Sequence, residues 1–163
     1  MIEQRVLSHL EIDAENGTIF WLKPPKNHPR LVGKEAGSLL SNKNGKNYWH
    51  IRFEGRSYKR SRLIFAYVHG RFPYPCVDHI DGNSLNDCAL NLREATVTQN
   101  NWNHKSRKKE AATLMGVRAL LSGKYQARIR CNHTEISLGV FQTENEAYAA
   151  YQKAREVYFG QYA

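Results

Sequence analysis

The order of apolar and polar positions predicts two differently built stretches. The first opens as short strands separated by turns. Glu15-Asn16-Gly17 is a strong turn signal and leads into the apolar, aromatic run 18–22, which stops at Pro24-Pro25. Residues 26–47 are rich in Lys, Asn, Gly and Ser and read as loops. Residues 48–53 and 56–59 alternate on either side of Glu54-Gly55, the pattern of a β-hairpin. Leu63, Ile64, Phe65, Tyr67 and Val68 then form a compact helical stretch that Gly70 ends and Pro73 keeps from resuming.

The second stretch is a self-contained pattern. Gly116-Val117-Arg118 opens a strand, Gly123 marks the turn into a strand over 124–130, and a third strand runs over 136–141. Thr143 stands three residues before Glu146, the spacing at which each side chain satisfies a free backbone donor at a helix start. Ala147, Ala150, Tyr151, Ala154 and Tyr158 recur at helical spacing, and Gly160 is placed to end the helix. Between the two stretches, Lys105-Ser106-Arg107-Lys108-Lys109-Glu110 has no apolar periodicity. The expected organisation is a domain over 1–104, a basic linker over 105–112 and a second domain over 113–163.

Charge adds a partner to this picture. The 163 residues carry 24 Lys and Arg against 15 Asp and Glu, a formal net charge of +9. Residues 1–104 hold 14 basic against 10 acidic side chains, and residues 105–163 hold 10 against 5, so both parts attract a polyanion, most simply nucleic acid. No apolar run approaches the roughly 18 residues needed to span a bilayer, and Met1-Ile2-Glu3-Gln4-Arg5 lacks a signal-peptide pattern. The membrane and the secretory pathway are therefore not expected. Three cysteines, Cys76, Cys88 and Cys131, form no Cys-x-x-Cys, which argues against a disulfide framework or a zinc knuckle and for a reducing compartment.

The densest polar chemistry is Asp78-His79-Ile80-Asp81-Gly82-Asn83, followed by Asn86, Asn91-Leu92-Arg93 and Asn100. Cutting a phosphodiester needs a base to activate water and a cation to neutralise charge at the leaving oxygen. His79 suits the base, while Asp78 and Asn100 suit hard oxygen ligands of a divalent cation. Asp81-Gly82-Asn83 supplies residues for a bend. Thr96 and Gln99 have capping spacing, so a helix is expected to begin near Val97 and to carry Asn100 in its first turn, with His104 four residues later on the same face.

The segment from Val77 to Asn101, with its Asp-His start, Asn-Leu-Arg centre and Asn on the following helix, resembles the HNH nucleases, and most nearly the phage and intron-encoded homing-endonuclease type. Glu15-Asn16-Gly17-Thr18-Ile19-Phe20-Trp21, Ala36-Gly37-Ser38 and Arg62-Leu63 share that resemblance. Residues 116–160 separately resemble the Apetala-two-type DNA-binding domain, a three-stranded sheet with one helix. The resemblance implies an α+β protein: a ββα-metal nuclease module (core motif 77–104) preceded by short antiparallel hairpins, and a C-terminal three-stranded antiparallel sheet packed on one helix. It implies His79 as general base and Asn91 as the residue that holds the loop and orients that histidine. Asp78 and Asn100 follow as ligands of a divalent ion, Mg2+ first among the candidates, with Mn2+ also compatible; His104 stands as the alternative to Asn100. Arg118, Lys124, Gln126, Arg128 and Arg130 match or neighbour DNA-contacting strand positions, and Arg52, Arg56, Lys59 and Arg93 are candidates to extend the footprint.

The expected function is metal-dependent, site-directed cleavage of double-stranded DNA, by a monomer or a dimer, in the bacterial host cytoplasm if the chain is phage-encoded as the resemblance implies. The rival from another class is a sequence-specific DNA-binding regulator with a decayed nuclease site. An RNA-directed nuclease is a third alternative.

Overall fold

The structure is a computed structural model that describes residues 2–43, 45–103, 114–132 and 134–163. The expected linker over 105–112, His104 and His133 lie outside the described residues. The chain divides into two compact units, Met1–Asn100 and Asn101–Ala163. It is a mixed α and β protein whose strands form several small antiparallel sheets.

The first unit begins with a short helix that the apolar pattern did not predict, α1 (Ile2–Leu7), which buries Val6 completely. Strands β1 (Leu10–Asp13) and β2 (Thr18–Trp21) pair around the Glu15-Asn16-Gly17 turn. Asp13 shapes that turn by accepting from the Asn16 backbone and side-chain amides. The stretch 26–47 is not all loop. It contains a 3-10 turn (Pro29–Leu31) and a strand, β3 (Ser38–Ser41), paired with β4 (Asn47–Phe53). All four residues of β3 are exposed, so no alternation marks them, and backbone hydrogen bonding to β4 alone makes them a strand. β4 returns through Glu54 and Gly55, both at positive φ (47° and 76°), into β5 (Arg56–Lys59), as a two-residue hairpin turn requires.

Helix α2 (Arg60–His69) follows at once and ends at Gly70, whose φ of 68° gives the left-handed cap. Its Leu63, Ile64 and Phe65 pack with Ile19, Trp21, Ile51 and Phe53 into the core of the unit. Each fully buried Ile or Leu there contributes about 1.5–3 kcal/mol. The core also receives Leu92, from a last hairpin of β6 (Cys76–His79) and β7 (Leu92–Ala95). The Arg62 guanidinium donates to the Pro73 and Pro75 carbonyls, which ties the approach to β6 onto α2. Helix α3 (Val97–Trp102) starts where the Thr96 and Gln99 spacing predicts, and both capping bonds form.

In the second unit β8 (Val117–Ala119), β9 (Tyr125–Cys131) and β10 (Thr134–Phe141) form an antiparallel sheet in the order β10-β9-β8. Helix α4 (Glu144–Phe159) packs on it through Ala147, Tyr151 and Ala154 against Val117, Ala127 and Ile129. The Thr143–Glu146 capping box is fully formed. Gly116 passes so close to the Tyr151 ring that a Cβ there would lie 2.1 Å from it, so only glycine fits. Trp102 belongs to this unit, stacked on Phe159 at 4.7 Å, and its carbonyl accepts from Arg155.

Candidate functional site

The densest polar cluster forms on the β6–β7 hairpin because its connecting loop is held from within. Gly82 N–H donates to the His79 carbonyl at 2.8 Å and bends the chain directly after β6. The Asp81 carboxylate accepts from Asn83 N–H, Asn86 Nδ2 and Asn91 Nδ2 at 2.7–3.0 Å. Burial pushes the Asp81 carboxyl up, but these donors outweigh it and hold it below its usual value. Asn91 closes the loop: its Oδ1 accepts from Asp81 N–H at 3.0 Å, its Nδ2 also donates to the Asn86 carbonyl at 2.8 Å, and its carbonyl accepts from Ile80 N–H at 2.9 Å. Ser84 Oγ donates to the Asn47 carbonyl and fastens the loop to β4.

His79 is buried, and its Nε2 lies 2.8 Å from Asp87 Oδ1. An ionised carboxylate only accepts, so a neutral imidazole bonded to one in this way carries its proton on Nε2. The other Asp87 oxygen accepts from Arg60 Nε–H at 2.8 Å, and Arg60 Nη1 reaches Glu35 at the same distance. The Arg60 guanidinium also lies 4.7 Å over the Trp49 ring. Asp87 and Arg60 are both buried, at 3% and 4% exposure, so each charge depends on the other. Sequence reasoning missed both. Asp87 stands among Asn83, Ser84 and Asn86, where an acid reads as turn chemistry, and Arg60 is one basic residue among many. Asp87 is also fixed from behind: Ala89 N–H donates to the Ala14 carbonyl, and a Cβ on Gly17 would lie 2.4 Å from Cys88 N and 2.5 Å from the Asp87 carbonyl carbon.

Asp78 and His79 are neighbours on β6, so their side chains leave opposite faces of the strand. Asp78 meets Arg93 across the hairpin, where Nε and Nη2 donate to Oδ2 at 2.8 and 2.7 Å. Arg93, expected among the DNA contacts, is folded onto Asp78 with its side chain 14% exposed, because a buried carboxylate needs a cationic partner. Asn100 lies in the first turn of α3, its backbone N–H donating to the Thr96 carbonyl. Among the described residues, no group of three or more His, Cys, Asp or Glu side chains is placed to hold a metal ion. A carboxylate and an amide oxygen are nonetheless donors that a hard divalent cation accepts.

The other expected contacts fall on two sheets. Arg52 and Lys59 share one face of the β3–β4–β5 sheet, whereas Arg56 pairs with Phe53 on the opposite face. Lys59 covers the Tyr48 ring at 3.9 Å, and burial, reinforced by the Arg62 charge, pushes its ammonium below its usual value. On β9, Gln126, Arg128 and Arg130 lie on the face away from Ala127 and Ile129, and Arg118 joins them opposite Gln126. Arg128 is paired with Glu135 at 3.2 Å, and Gln126 Nε2 lies 3.4 Å from Ser137 Oγ. Lys124 sits in the turn before β9 rather than in the strand, since its carbonyl closes that turn by accepting from Leu120 N–H.

Residues 58–102, which span α2, the β6–β7 hairpin and α3, match the model of a family described as HNH endonuclease. The matched segment also lies within a wider similarity. An uncharacterized HNH endonuclease of Acanthamoeba polyphaga mimivirus is 31% identical over 121 residues, 73% of this chain and 63% of that protein. Protein 3.8 of Escherichia phage T7 is 49% identical over 41 residues, 25% of this chain and 34% of that protein. The chain thus spans less than two thirds of either relative. No solved structure matches. No helix among the described residues is long and apolar enough to cross a membrane.

Proposed function

We propose that the chain is a divalent-metal-dependent endonuclease that cuts double-stranded DNA at the β6–β7 loop, with the β8–β10 sheet contributing to DNA binding. The observation that carries this reading is a buried imidazole, His79, whose Nε2 lies against a carboxylate within a segment that matches a nuclease family. With Nε2 protonated, Nδ1 is the basic nitrogen of the neutral ring, and it takes a proton from the attacking water. The water oxygen bonds to phosphorus as the bond to the leaving oxygen breaks.

Asn91 keeps the loop closed around this geometry. Asp78 and Asn100 would hold the cation, Mg2+ by donor chemistry, with His104 as the alternative to Asn100. When bound, the cation supplies positive charge to the phosphate and the leaving oxygen. Arg93 orients the Asp78 carboxylate through two N–H donors. In the second unit, read as an Apetala-two-type domain, Arg118, Gln126, Arg128 and Arg130 present a basic and amide face suited to phosphates and base edges, with Lys124 at its end.

Plasmid cleavage with Mg2+ and with chelator tests the reading, beside His79→Ala and Asp78→Ala. Chelation and Asp78→Ala should stop cutting. His79→Ala should slow it roughly a hundredfold or more while DNA affinity stays within a few-fold. Full activity in chelator, or a His79→Ala protein that cuts like wild type, refutes it.

A further inference from the structure

We infer that Asp87, held by Arg60, is the positioning residue that fixes the orientation and tautomer of His79. The inference deepens the proposed function and rests on His79 being its base. Asp87 stands 2.8 Å from the His79 ring and 2.8 Å from Arg60, with the two contacts on different carboxylate oxygens. An imidazole joined to its backbone by two rotatable bonds has no unique orientation until one nitrogen is bonded, and which nitrogen is bonded decides which one can accept a proton. A carboxylate fixes both at once. Its own freedom is removed by Arg60, whose guanidinium is itself fixed by Glu35 and the Trp49 ring. The backbone beneath Asp87 rests on the β1–β2 turn at Gly17. A strand end, a loop and a helix start thus meet on one imidazole.

The arrangement makes a sharp prediction for the near-isosteric change Asp87→Asn. The amide has one accepting and one donating end, and Arg60 has only donors, so the amide must turn its oxygen to Arg60 and its NH2 to His79. Nε2 then has to accept, the ring proton moves to Nδ1, and the basic nitrogen becomes the one already bonded to the side chain at position 87. Single-turnover cleavage should fall by roughly 10²–10⁴-fold while the dissociation constant for DNA changes by less than about threefold. Adding Arg60→Met removes the donor that dictates the amide's orientation. The oxygen can then turn to Nε2–H, and the double variant should cut about tenfold or more faster than Asp87→Asn alone. A role confined to stability gives the opposite order, because the second substitution removes further contacts.

Nitrogen NMR of the His79 ring provides a readout independent of activity. The proton should sit on Nε2 in the wild type and in the double variant, and on Nδ1 in Asp87→Asn. The inference is overturned if wild type carries the proton on Nδ1, or if the double variant is no faster than Asp87→Asn. His79→Ala separates it from the reading beneath it. If His79→Ala cuts like wild type, the general-base reading falls and the inference with it. If His79→Ala is inactive while Asp87→Asn cuts within about threefold of wild type, only the positioning by Asp87 is refuted.

Discussion

Replacing Arg60 by Leu should be among the most damaging single changes in the first unit, although it introduces an apolar side chain at a buried position. Asp87 would remain at 3% exposure, its carboxylate stripped of the guanidinium 2.8 Å away and bonded only to His79. Removing one partner of a buried ion pair costs about 3–5 kcal/mol, most of it the penalty of an uncompensated charge out of water. The Glu35 contact adds little, because Glu35 is 41% exposed and its pairing is screened. The stacking over Trp49 adds about 0.5–2 kcal/mol. Against a typical domain stability of about 5–15 kcal/mol this is a large fraction, and the urea midpoint should fall by on the order of 2 M. Urea unfolding followed by tryptophan fluorescence measures it, with Trp49 lying directly beneath the substituted position. The double change Arg60→Leu with Asp87→Leu should recover much of the loss, leaving about 1–3 kcal/mol for the orphaned Nε2–H of His79. A loss below about 1 kcal/mol for Arg60→Leu alone would refute the claim that this pair is buried and mutually dependent.

Two further outcomes follow from the same geometry. Gly17→Ala places a Cβ 2.4 Å from Cys88 N at a φ of +69°, so strain and overlap with rigid backbone should cost about 2–4 kcal/mol by urea unfolding, and cleavage should slow because Asp87 is displaced. Glu94 accepts two Arg71 N–H bonds at 2.7 Å and the Tyr74 N–H; the Arg71 bonds lead in pulling its carboxyl from an ordinary 4.5 down to about 2. Its folded value lies below its unfolded one, so its contribution is complete above pH 4.5 and is lost as pH falls from there towards 2. Glu94→Gln should therefore flatten the pH dependence of the urea midpoint in that window, and an unchanged slope would contradict the bidentate pairing.

What the sequence determined by itself is what depends on contacts three or four residues apart. The Thr96–Gln99 and Thr143–Glu146 boxes start α3 and α4 where their spacing says, because the bonds they form are internal to one helical turn. Glu54-Gly55 turns β4 into β5, Gly70 ends α2, and the alanines of α4 mark the face that meets the sheet, all from local pattern. The Asp-His, Asn-Leu-Arg and Asn signature identified the segment that matches the HNH family. Tertiary structure decided the rest. β3 exists only through its pairing with β4, since its exposed residues carry no periodicity. Arg93 became the partner of Asp78 because a register of β6 on β7 sets them opposite each other, which spacing alone does not specify. The Arg60–Asp87–His79 connection joins residues 27 and 8 positions apart. It forms because packing of α2 and the β6–β7 loop buries all three and brings them within bonding distance of one another. Burial of that kind is a property of the assembled core, and no local pattern in the chain encodes it.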